Sequence, residues 1–400
     1  MQFCFFDDEI ANNFLPLTLT RPTDDLRVGI LTIKEKWSKW LVSKQISRIT
    51  HSYLKENFPS SGINENELCI WLNSRCIPTK NVVEAILDLN PGEALFYDKA
   101  IIAIKSDGKQ SNRSFKQNEI PSFTKRINLA PPPTVITYFW DLLHLNGYQI
   151  SEDLKLLEQP TASFNRLHRS ISITNPDQVF ISESATLEPG VALLTEDGPI
   201  YIGPNAKVEA GSVIKGPVAI CEYAQVKMQA RIYNSTTIGP VCKAGGEINN
   251  CIFHSYSNKS HNGYAGNSIF GQWCNLAAGT ITSNLKTNYG PIKIPHWDSG
   301  ELSEDSVQFF GTVFGDFSKT AIQTKINVGT ICGVSSNIFV SVFTPKKIPS
   351  FTWLGDDGPK EYDFPKAIEA MRAMMARRDV DLDNDYIQMM KAIFASRSPT

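Results

Sequence analysis

The chain has 400 residues, which at roughly 150 residues per domain allows two or three domains with sizeable cores. Lysine and arginine number 39 and aspartate and glutamate 41, so the formal charge of −2 excludes a general electrostatic attraction to nucleic acid or to anionic membranes. Hydrophobic residues make up 42% of the chain and charged residues 20%, which is typical of a globular protein and excludes general disorder.

The N-terminus and the cysteines predict a cytoplasmic protein. Residues 1–9 lack a basic segment and reach acidic residues at once, so they do not resemble a signal peptide. No apolar run approaches the roughly 18 residues that a membrane span needs. The eight cysteines form no C-x-x-C motif and have no histidine at metal-ligand spacing, which favours reduced, buried thiols. We therefore expect neither a membrane nor a nucleic-acid partner.

Residues 1–160 alternate between two kinds of pattern. The short apolar runs are 2–6, 68–72, 94–97 and 100–104, and the helical patterns are 32–41 and 80–89. Such alternation predicts an α/β domain with a mostly parallel sheet. We expect the domain boundary to lie between Glu158 and Ser172.

An internal repeat begins downstream of this boundary. From Ile202 to Ile238 an aliphatic residue recurs at every sixth position, and the residue four places after each is small or β-branched. The same frame holds upstream at Ile181, Leu187 and Leu193. It returns at Tyr264, Phe270, Leu276 and Thr282, and again at Phe314, Thr320, Ile326, Cys332 and Ile338.

A period of six fits neither an amphipathic helix nor a hairpin meander, and it predicts a triangular parallel β-helix at residues 165–345. The aliphatic residue of each hexad would point into the core, and the hexads correspond to about six coils. The segments 243–259 and 286–308 break the frame. We interpret both as loops extruded from the prism, where binding residues tend to concentrate.

Residues 346–400 predict a C-terminal helical extension that leaves the solenoid after Ile348. One helix is expected from about Pro365 to Arg378 with Asp363 as its cap, and another from about Asn384 to Ala395 after Asp383. One face of the first helix carries Ile368, Met371, Met374 and Met375. We interpret this stripe as a packing surface against the solenoid or a neighbouring subunit.

The segment after Lys259 reads K-S-H-N-G-Y-A-G-N and then N-L-A-A-G-T-I-T-S-N. It resembles the acetyltransferase half of the bifunctional UDP-N-acetylglucosamine pyrophosphorylase / glucosamine-1-phosphate N-acetyltransferase family, which carries G-H-x-x-Y-x-G-[DN] and N-[IL]-G-A-G-T-x-x-x-N. Ser260 and Ala277 replace family glycines, and Leu285 stands where the family has tyrosine. The matching residues are His261, Tyr264, Gly266, Asn275, Ala278, Gly279, Thr280 and Asn284.

This resemblance implies a left-handed β-helix, a homotrimer, and acetyl-CoA bound in the groove between subunits. Acyl transfer to a sugar amine needs a base, and the resemblance assigns that role to His261. It needs an N–H donor for the oxyanion, which the small residues 277–279 leave approachable. The expected sugar-phosphate contacts are Tyr264, Asn275 and Asn284, with Lys259, Lys286 and Lys293 as candidate cations. The expected acetyl-CoA contacts are Ala278, Gly279 and Thr324.

Residues 15–22 and 26–37 resemble the sugar nucleotidyltransferases. The resemblance implies attack of a sugar-1-phosphate on a nucleoside triphosphate with Mg²⁺, and Arg21, Arg27, Lys34 and Lys36 are candidate nucleotide contacts. The family's G-x-G-T-R phosphate loop has a counterpart at residues 8–14 that contains no glycine. Leu72–Arg75 stands where the family's Gly-Asp supplies a Mg²⁺ ligand. The domain is therefore either an active variant or a regulatory or structural module.

The sequence as a whole predicts a transferase of the UDP-N-acetylglucosamine pathway, with acetyl-CoA-dependent acetyl transfer in the solenoid and uridylyl transfer in an active N-terminal domain. Its expected partners are a sugar-1-phosphate, acetyl-CoA and a nucleoside triphosphate. One alternative is the same build acting on another sugar-1-phosphate. The other is a non-catalytic hexapeptide scaffold, which would have no use for His261, Tyr264 and the two asparagines.

Overall fold

A computed structural model describes residues 1–42, 45–60, 62–64, 66–107, 123–157 and 166–397. The chain divides into two compact units. The first comprises Met1–Leu26 and Leu31–Tyr138, and the second Arg27–Ile30 and Phe139–Thr400. The predicted domain limits at residues 160 and 165 lie outside the described residues. In the described ranges, no helix is long and apolar enough to cross a membrane.

The first unit is built on a mixed sheet. Its strands are β1 (Gln2–Phe6), β2 (Ser47–Arg48), β3 (Leu68–Asn73), β4 (Cys76–Ile77), β5 (Glu93–Tyr97), β6 (Ala100–Asp107), β7 (Lys125–Asn128) and β8 (Thr134–Val135). Its α-helices are α1 (Ile33–Trp40) and α2 (Lys80–Leu87). The strand order is β2-β1-β3-β6-β5-β7, and β4 pairs separately with β8.

The predicted α/β character of this unit is confirmed. Within the six-stranded sheet, β6 is antiparallel to both of its neighbours, and the other pairings are parallel. The exception follows from the tight turn between Tyr97 and Ala100, which joins β5 directly to β6. Helix α1 begins at a capping box in which the Thr32 hydroxyl accepts from the Glu35 N–H and the Glu35 carboxylate accepts from the Thr32 N–H.

The second unit is a parallel β-solenoid with three described α-helices, α3 (Phe139–Leu156), α4 (Phe364–Ala376) and α5 (Asn384–Ser396). Its strands up to the insertion are β9 (Ser172–Ile173), β10 (Val179–Ile181), β11 (Thr186–Leu187), β12 (Ala192–Leu194), β13 (Ile200–Ile202), β14 (Lys207–Val208), β15 (Val213–Lys215), β16 (Val218–Ile220), β17 (Gln225–Val226), β18 (Arg231–Tyr233), β19 (Thr236–Ile238), β20 (Lys243–Ala244), β21 (Glu247–Asn249), β22 (Ile252–Ser255), β23 (Asn258–Lys259), β24 (Tyr264–Gly266), β25 (Ile269–Gln272) and β26 (Ile281–Thr282). The remaining strands are β27 (Thr312–Phe314), β28 (Lys319–Thr320), β29 (Lys325–Ile326), β30 (Thr330–Cys332), β31 (Asn337–Phe339), β32 (Lys347–Ile348), β33 (Thr352–Gly355) and β34 (Gly358–Glu361).

These strands stack into three sheets, which we call the first, second and third faces of the prism. The first face is β10-β13-β16-β19-β22-β25-β27-β30-β32. The second face runs from β11 through β14, β17, β20 and β23, continues through single pairings of Asn275 with Asn258 and Lys319, and ends with β28, β31 and β33. The third face is β9-β12-β15-β18-β21-β24, with β26-β29 beyond it.

The hexad frame correctly locates most of the core. The predicted inward residues from Ile202 to Ile238 are fully buried in one hydrophobic cluster with Phe270, Phe314 and Ile338. Every pairing between coils is parallel, as the period of six predicts. The predicted parallel β-helix, with an α/β domain before it and helices after it, is thus confirmed.

Several details of the repeat were predicted wrongly. Residues 243–259 are not an extruded loop, because they form β20 to β23, all paired within the prism. Gly245 and Gly246 close a tighter corner there, since Gly246 adopts a φ of 76° that favours glycine. The first face has nine strands, more than the six coils predicted. Tyr264 lies one residue out of the core frame, and its neighbour Ala265 takes the buried position beside Ile248.

Residues 283–311 do leave the prism between β26 and β27, as predicted for 286–308. The solenoid then continues beyond Ile348, because Thr352–Gly355 pairs in parallel with β31 before a hairpin to β34. The two C-terminal helices start where predicted, since the Asp363 carboxylate accepts from the Lys366 N–H and the Asp383 carboxylate from the Tyr386 N–H.

Helix α3 has no counterpart in the sequence prediction, and it fixes the Arg27–Ile30 segment within the second unit. The Asn146 side chain accepts from the Gly29 N–H at 2.7 Å and donates to the Thr237 hydroxyl at 3.0 Å. The Asp153 carboxylate accepts from the Ile30 N–H at 2.7 Å. Arg27 therefore belongs to the solenoid unit and not to the N-terminal sheet.

Candidate functional site

A cavity of about 550 Å³ lies along the second face of the solenoid, and helix α4 supplies one of its walls. It contains three of the residues predicted for acetyl transfer, His261, Asn275 and Ala278. The other lining residues are Lys243, Tyr256, Asn258, Ser260, Trp273, Leu276, Ala277, Lys319, Ile322, Ala373, Met374, Arg377 and Arg378. The cavity volume lies in the range of small-molecule sites.

His261 projects from the turn between β23 and β24, and its side chain is exposed. Lys259 stabilises this turn, because its buried ammonium donates to the Gly245 carbonyl at 3.0 Å and to the His261 carbonyl at 2.9 Å. Burial lowers the pKa of Lys259 to about 8. The structure therefore places Lys259 beneath the turn that carries His261, where its ammonium is held by two backbone carbonyls and is not free to meet a sugar phosphate.

Of the three backbone N–H groups at residues 277–279, two already have acceptors within the described residues. The Ala277 N–H donates to the Thr320 hydroxyl at 3.0 Å, and the Gly279 N–H donates to the Asn262 carbonyl at 2.9 Å. Within the described residues, the Ala278 N–H has no hydrogen-bond acceptor, and Ala278 lines the cavity. Of the three predicted donors, Ala278 is thus the one available to an oxyanion.

Four cations line the cavity, and sequence reasoning missed all of them. Lys243 and Lys319 come from the second face, and Arg377 and Arg378 from the end of α4. Burial lowers the pKa of Lys319 to about 8. Burial and then the charges of Arg378, Lys227 and Arg377 lower the pKa of Lys243. Among the described lining residues none is acidic, so the cavity is strongly electropositive.

An aromatic column follows one corner of the prism and reaches the cavity. Tyr256 stacks on Trp273 with ring centroids 4.3 Å apart, and Trp273 stacks on Phe317 at 6.0 Å. All three have a positive φ of 55° to 61° and occupy equivalent corner positions in successive coils. Tyr256 and Trp273 also line the cavity, so one of its walls is a flat aromatic surface.

Two predicted substrate contacts, Tyr264 and Asn284, come together outside the cavity on the third face. The Asn284 side-chain amide donates to the Tyr264 hydroxyl at 3.1 Å and to the side-chain oxygen of Asn267 at 2.7 Å. In the strand pairing Tyr264 lies beside Glu247, and Glu247 beside Arg231. Arg231 pairs with Glu247 at 3.0 Å and is a further cation that sequence reasoning missed.

The remaining predicted contacts lie elsewhere in the solenoid unit. Lys286 is in the excursion before β27, where its ammonium donates to the Pro291 carbonyl, and Lys293 is exposed in the same excursion. Thr324 is fully buried, and its hydroxyl donates to the Ala321 carbonyl at 2.8 Å. Gly279 adopts a φ of 73° in the turn after Ala278 and does not line the cavity.

The structure separates the cations predicted for nucleotide binding. Arg21 is fully buried, where its guanidinium donates to the Leu17 carbonyl and pairs with Asp25 at 3.4 Å. Lys36 is buried in helix α1. Arg27, within the second unit, donates from Nε to the His254 carbonyl at 3.2 Å. Half-burial lowers the pKa of Lys34. Each of the first three side chains is thus occupied inside the protein.

The polar residues at the ends of β1 and β3 bind one another. Arg75 is buried and forms an ion pair with the Asp8 carboxylate, with 2.7 Å between Nε and Oδ1. Its guanidinium also donates to the Ile136 carbonyl. The Asn73 amide donates to Asp8 at 2.9 Å, and the Ser74 hydroxyl donates to Asp7. The nearby cavity bounded by Asp7 and Arg21 measures about 20 Å³, room for no more than a water molecule. The described residues contain no group of three metal-binding side chains.

There are identifiable reasons why the sequence did not predict these cavity-lining residues. Lys243 falls in the segment interpreted as an extruded loop, and recognising the Gly245-Gly246 corner would have placed it on the second face. Arg377 and Arg378 lie within the predicted helix, but nothing in the sequence specifies which face of the solenoid that helix covers. Met374, assigned to the packing stripe, is half-buried and lines the cavity, while Ile368, Met371 and Met375 are buried as predicted.

Comparison with known proteins gives matches at both the domain and the chain level. Residues 3–161 match the sugar nucleotidyl transferase family. The chain is similar to the bifunctional protein GlmU of Methanococcus vannielii, with 33% identity over 113 residues, 28% of this chain and 27% of that protein. The GlmU of Methanococcus aeolicus is 28% identical over 196 residues, 48% of this chain and 44% of that protein. The GlmU of Bartonella bacilliformis is 25% identical over 188 residues, 45% and 41% respectively.

The chain spans about a quarter to a half of the length of the curated relatives it matches. The matches nevertheless agree with the motifs that carry the resemblance, since the predicted nucleotidyltransferase-like segment and the family match coincide. The predicted resemblance is therefore confirmed: residues 3–161 match the sugar nucleotidyl transferase family, and the chain is similar to GlmU proteins.

Proposed function

We propose that the second unit transfers an acetyl group from acetyl-CoA to the amine of a glucosamine-1-phosphate-type sugar. The observation that carries this proposal is that His261, Asn275 and Ala278 line one cavity, and that the Ala278 N–H has no acceptor within the described residues. A base, an amide for the acceptor and a donor for the oxyanion are the parts that acyl transfer requires. A hexapeptide scaffold without catalysis would need none of them in such an arrangement.

The proposed reaction follows from these positions. The imidazole of His261 accepts a proton from the neutral sugar amine as the nitrogen attacks the thioester carbon, and the imidazolium then gives this proton to the departing sulfur. The Ala278 N–H donates to the oxyanion of the tetrahedral intermediate, which collapses with breakage of the carbon–sulfur bond. The thiol of CoA leaves and the amide remains on the sugar. Lys259 positions the base, because it holds the carbonyl of His261 without touching the reacting atoms.

The proposal assigns residues 3–161 a regulatory or structural role, the second of the two predicted alternatives. Its support is that Arg21 and Lys36 are buried and that Arg75 is bound to Asp8. In a catalytic nucleotidyltransferase, cations and a carboxylate must instead be available to phosphates and Mg²⁺. The homotrimer, the cytoplasmic location and the identity of the sugar stay predictions.

A coupled assay of the whole chain tests the proposal. Purified protein is incubated with acetyl-CoA and glucosamine-1-phosphate while thiol release is followed, and separately with UTP, Mg²⁺ and N-acetylglucosamine-1-phosphate while pyrophosphate is followed. We expect acetyl transfer in the first reaction. Absence of thiol release across common amino-sugar phosphates would overturn the proposed function, and pyrophosphate release would overturn the assignment of residues 3–161.

Substitution of His261 tests its role as the base. His261→Ala should lower kcat by about 10²- to 10⁴-fold, which is typical for loss of a general base, with little change in the affinity for CoA. His296→Ala is the matched control, because His296 is also exposed but does not line the cavity. Full activity of a folded His261→Ala protein would contradict the assignment.

A further inference from the structure

We propose that the side-chain amine of Lys319 is a second acyl acceptor in the cavity, so that the chain acetylates itself at this residue. The site is a modification site on the second face of the solenoid, and the reagent is the thioester of the acyl donor. The inference rests on the proposed function in one respect, that acetyl-CoA enters this cavity. It goes beyond that function, because the acceptor belongs to the chain and the product is a modified protein.

Lys319 lies beside the residues proposed for acetyl transfer. It pairs with Asn275 across the second face, and in the same two segments the Gln323 N–H donates to the Ala278 carbonyl at 2.7 Å. Residues 275–278 and 319–323 therefore run side by side, about 4.8 Å apart as adjacent strands are. Lys319 and Ala278 both line the cavity. A thioester placed next to the Ala278 N–H is thus within the reach of a lysine side chain from the neighbouring segment.

The ammonium of Lys319 has no carboxylate partner in the described part of the chain. It donates to the Phe317 carbonyl at 3.1 Å, and none of the described residues that line the cavity is acidic. Burial lowers its pKa to about 8. At pH 7 such a lysine is neutral in about one molecule of ten, whereas an ordinary lysine is neutral in roughly one of 2,500. Only the neutral amine is a nucleophile, so Lys319 is activated for acyl transfer.

Two other lysines show that position and a lowered pKa must coincide. Burial also lowers the pKa of Lys259 to about 8, but Lys259 does not line the cavity and its ammonium donates to two backbone carbonyls. Lys243 does line the cavity. On the second face, however, Asn258 lies between Lys243 and Asn275, so Lys243 is one strand farther from the reacting groups. Lys319 alone among these three lysines meets both conditions.

The proposed reaction is aminolysis of the thioester. The lone pair of the neutral Lys319 Nζ attacks the carbonyl carbon of the acetyl group, and the Ala278 N–H donates to the oxyanion that forms. The tetrahedral intermediate collapses with breakage of the carbon–sulfur bond. The proton that the nitrogen loses is taken up by the departing sulfur. The products are Nε-acetyl-lysine and the thiol of CoA, and no further reactant is needed.

Acetylation would change the cavity in two ways. The amide cannot be protonated, so one of the four cations that line the cavity is removed, and the added acetyl group occupies space beside Asn275. Both changes weaken the binding of an anionic ligand. The modification therefore turns down the chain that carries it.

Peptide mass spectrometry of the whole chain tests the proposal. Purified protein is incubated with acetyl-CoA and without any sugar, and acetylation of each lysine is followed with time, in the folded protein and in urea. In the folded protein we expect Lys319 to be acetylated at least about tenfold faster than Lys259, because only Lys319 is held next to the bound thioester. In urea the two lysines should react at similar rates, since unfolding removes the difference in their surroundings.

Two variants locate the reaction. Lys319→Arg retains the positive charge but is not an acyl acceptor, and it should show no acetyl group on residues that line the cavity. Lys243→Arg is the matched control, because it makes the same replacement in the same cavity and should leave the labelling of Lys319 in place. The comparison of Lys319 with Lys259 needs no variant, so misfolding of either protein does not decide the result.

The outcomes separate this proposal from the proposed function. Thiol release with glucosamine-1-phosphate and no label on Lys319 overturns self-acetylation and leaves the proposed function intact. A labelled Lys319 in a protein that acetylates no amino-sugar phosphate supports self-acetylation and overturns the proposed function. Labelling of Lys243 or Lys259 as fast as Lys319, or a preference for Lys319 that persists in urea, overturns the assignment of the site. Neither thiol release nor labelling overturns both.

Discussion

The two units hold buried cations in opposite ways. In the first unit, buried arginines face carboxylates: Arg75 binds Asp8, and Arg48 binds Asp24 at 2.6 Å. In the second unit, the buried ammonium group of Lys259 donates to the Gly245 carbonyl at 3.0 Å, and the half-buried one of Lys319 donates to the Phe317 carbonyl at 3.1 Å. The first unit thus neutralises its charges internally, whereas the second leaves positive charge uncompensated beside a cavity.

This difference separates a match to a family from the availability of charged groups to a ligand. The first unit, from residue 3 onward, lies within the match to the sugar nucleotidyl transferase family, but its buried arginines already have carboxylate partners. The solenoid places its charged and polar groups around a space large enough for a ligand. Function is therefore better inferred from which groups remain available than from which groups are present.

The largest effect on stability is expected where a paired cation is removed. Arg75→Met leaves the mostly buried Asp8 carboxylate without its cation, which typically costs about 3–5 kcal/mol. Urea unfolding followed by the fluorescence of the buried Trp37 and Trp71 should show this loss in the first unit. Lys80→Met is the control, because the exposed Lys80–Glu84 pair at 3.9 Å contributes at most about 1 kcal/mol.

The paired change Asp8→Leu with Arg75→Met sharpens this test. Replacing both members of a buried ion pair by apolar side chains is often nearly neutral, so the double variant should recover most of the stability that the single variant loses. If Arg75→Met were as stable as the wild type, the ion pair would not be what closes the end of this sheet, and the contrast between the units would fail.

The second prediction concerns a buried cation without a carboxylate. Burial sets the pKa of Lys259 at about 8, below its ordinary value of 10.5. Between these two values the unfolded chain binds more protons than the folded chain, so raising the pH stabilises the fold. Each pKa unit corresponds to about 1.4 kcal/mol, and the wild type should gain on the order of 2 kcal/mol between pH 7 and pH 10 relative to Lys259→Met.

Comparing the two proteins at each pH cancels the opposite contribution of the buried cysteines, whose raised pKa values destabilise the fold at alkaline pH in both. The measurement is the difference in the free energy of unfolding from urea titrations at pH 7 and pH 10. A difference that stayed constant with pH would mean that Lys259 is not held as a desolvated cation, and that the second unit manages its charges as the first does.

The sequence predicts some of this molecule well for physical reasons. The six-residue period identifies inward positions such as Val208 and Ile326 because each coil must bury a side chain at the same place. The six-residue period does not predict the shortened coil at Gly245, because removing residues at a corner shifts the frame without disturbing the strand pairing. Asp363 is recognisable as a cap because capping is local.

Features that depend on packing between residues far apart in the chain could not be predicted from local sequence patterns. The pairing of Arg75 with Asp8 joins the ends of two strands far apart in sequence, and neither residue looks different from a solvated surface charge. The docking of α4 brings Arg378 to Asn258 across 120 residues. His261 and Asn275 were identified by motif, but the cations that surround them belong to the tertiary structure alone.

The smallest effect is expected at the cap of the helix that closes the cavity. The Asp363 carboxylate accepts from the Lys366 N–H at 3.1 Å, and Asp363→Ala should cost about 1 kcal/mol of helix stability. Because the inner side of α4 stays packed through Met371 and Met375, the helix should remain docked, and the Kd for coenzyme A should rise less than tenfold. Asp363→Asn is the matched control, since asparagine caps nearly as well. A rise of a hundredfold or more would show that α4 undocks readily, and that the cavity is formed only when α4 closes over the ligand.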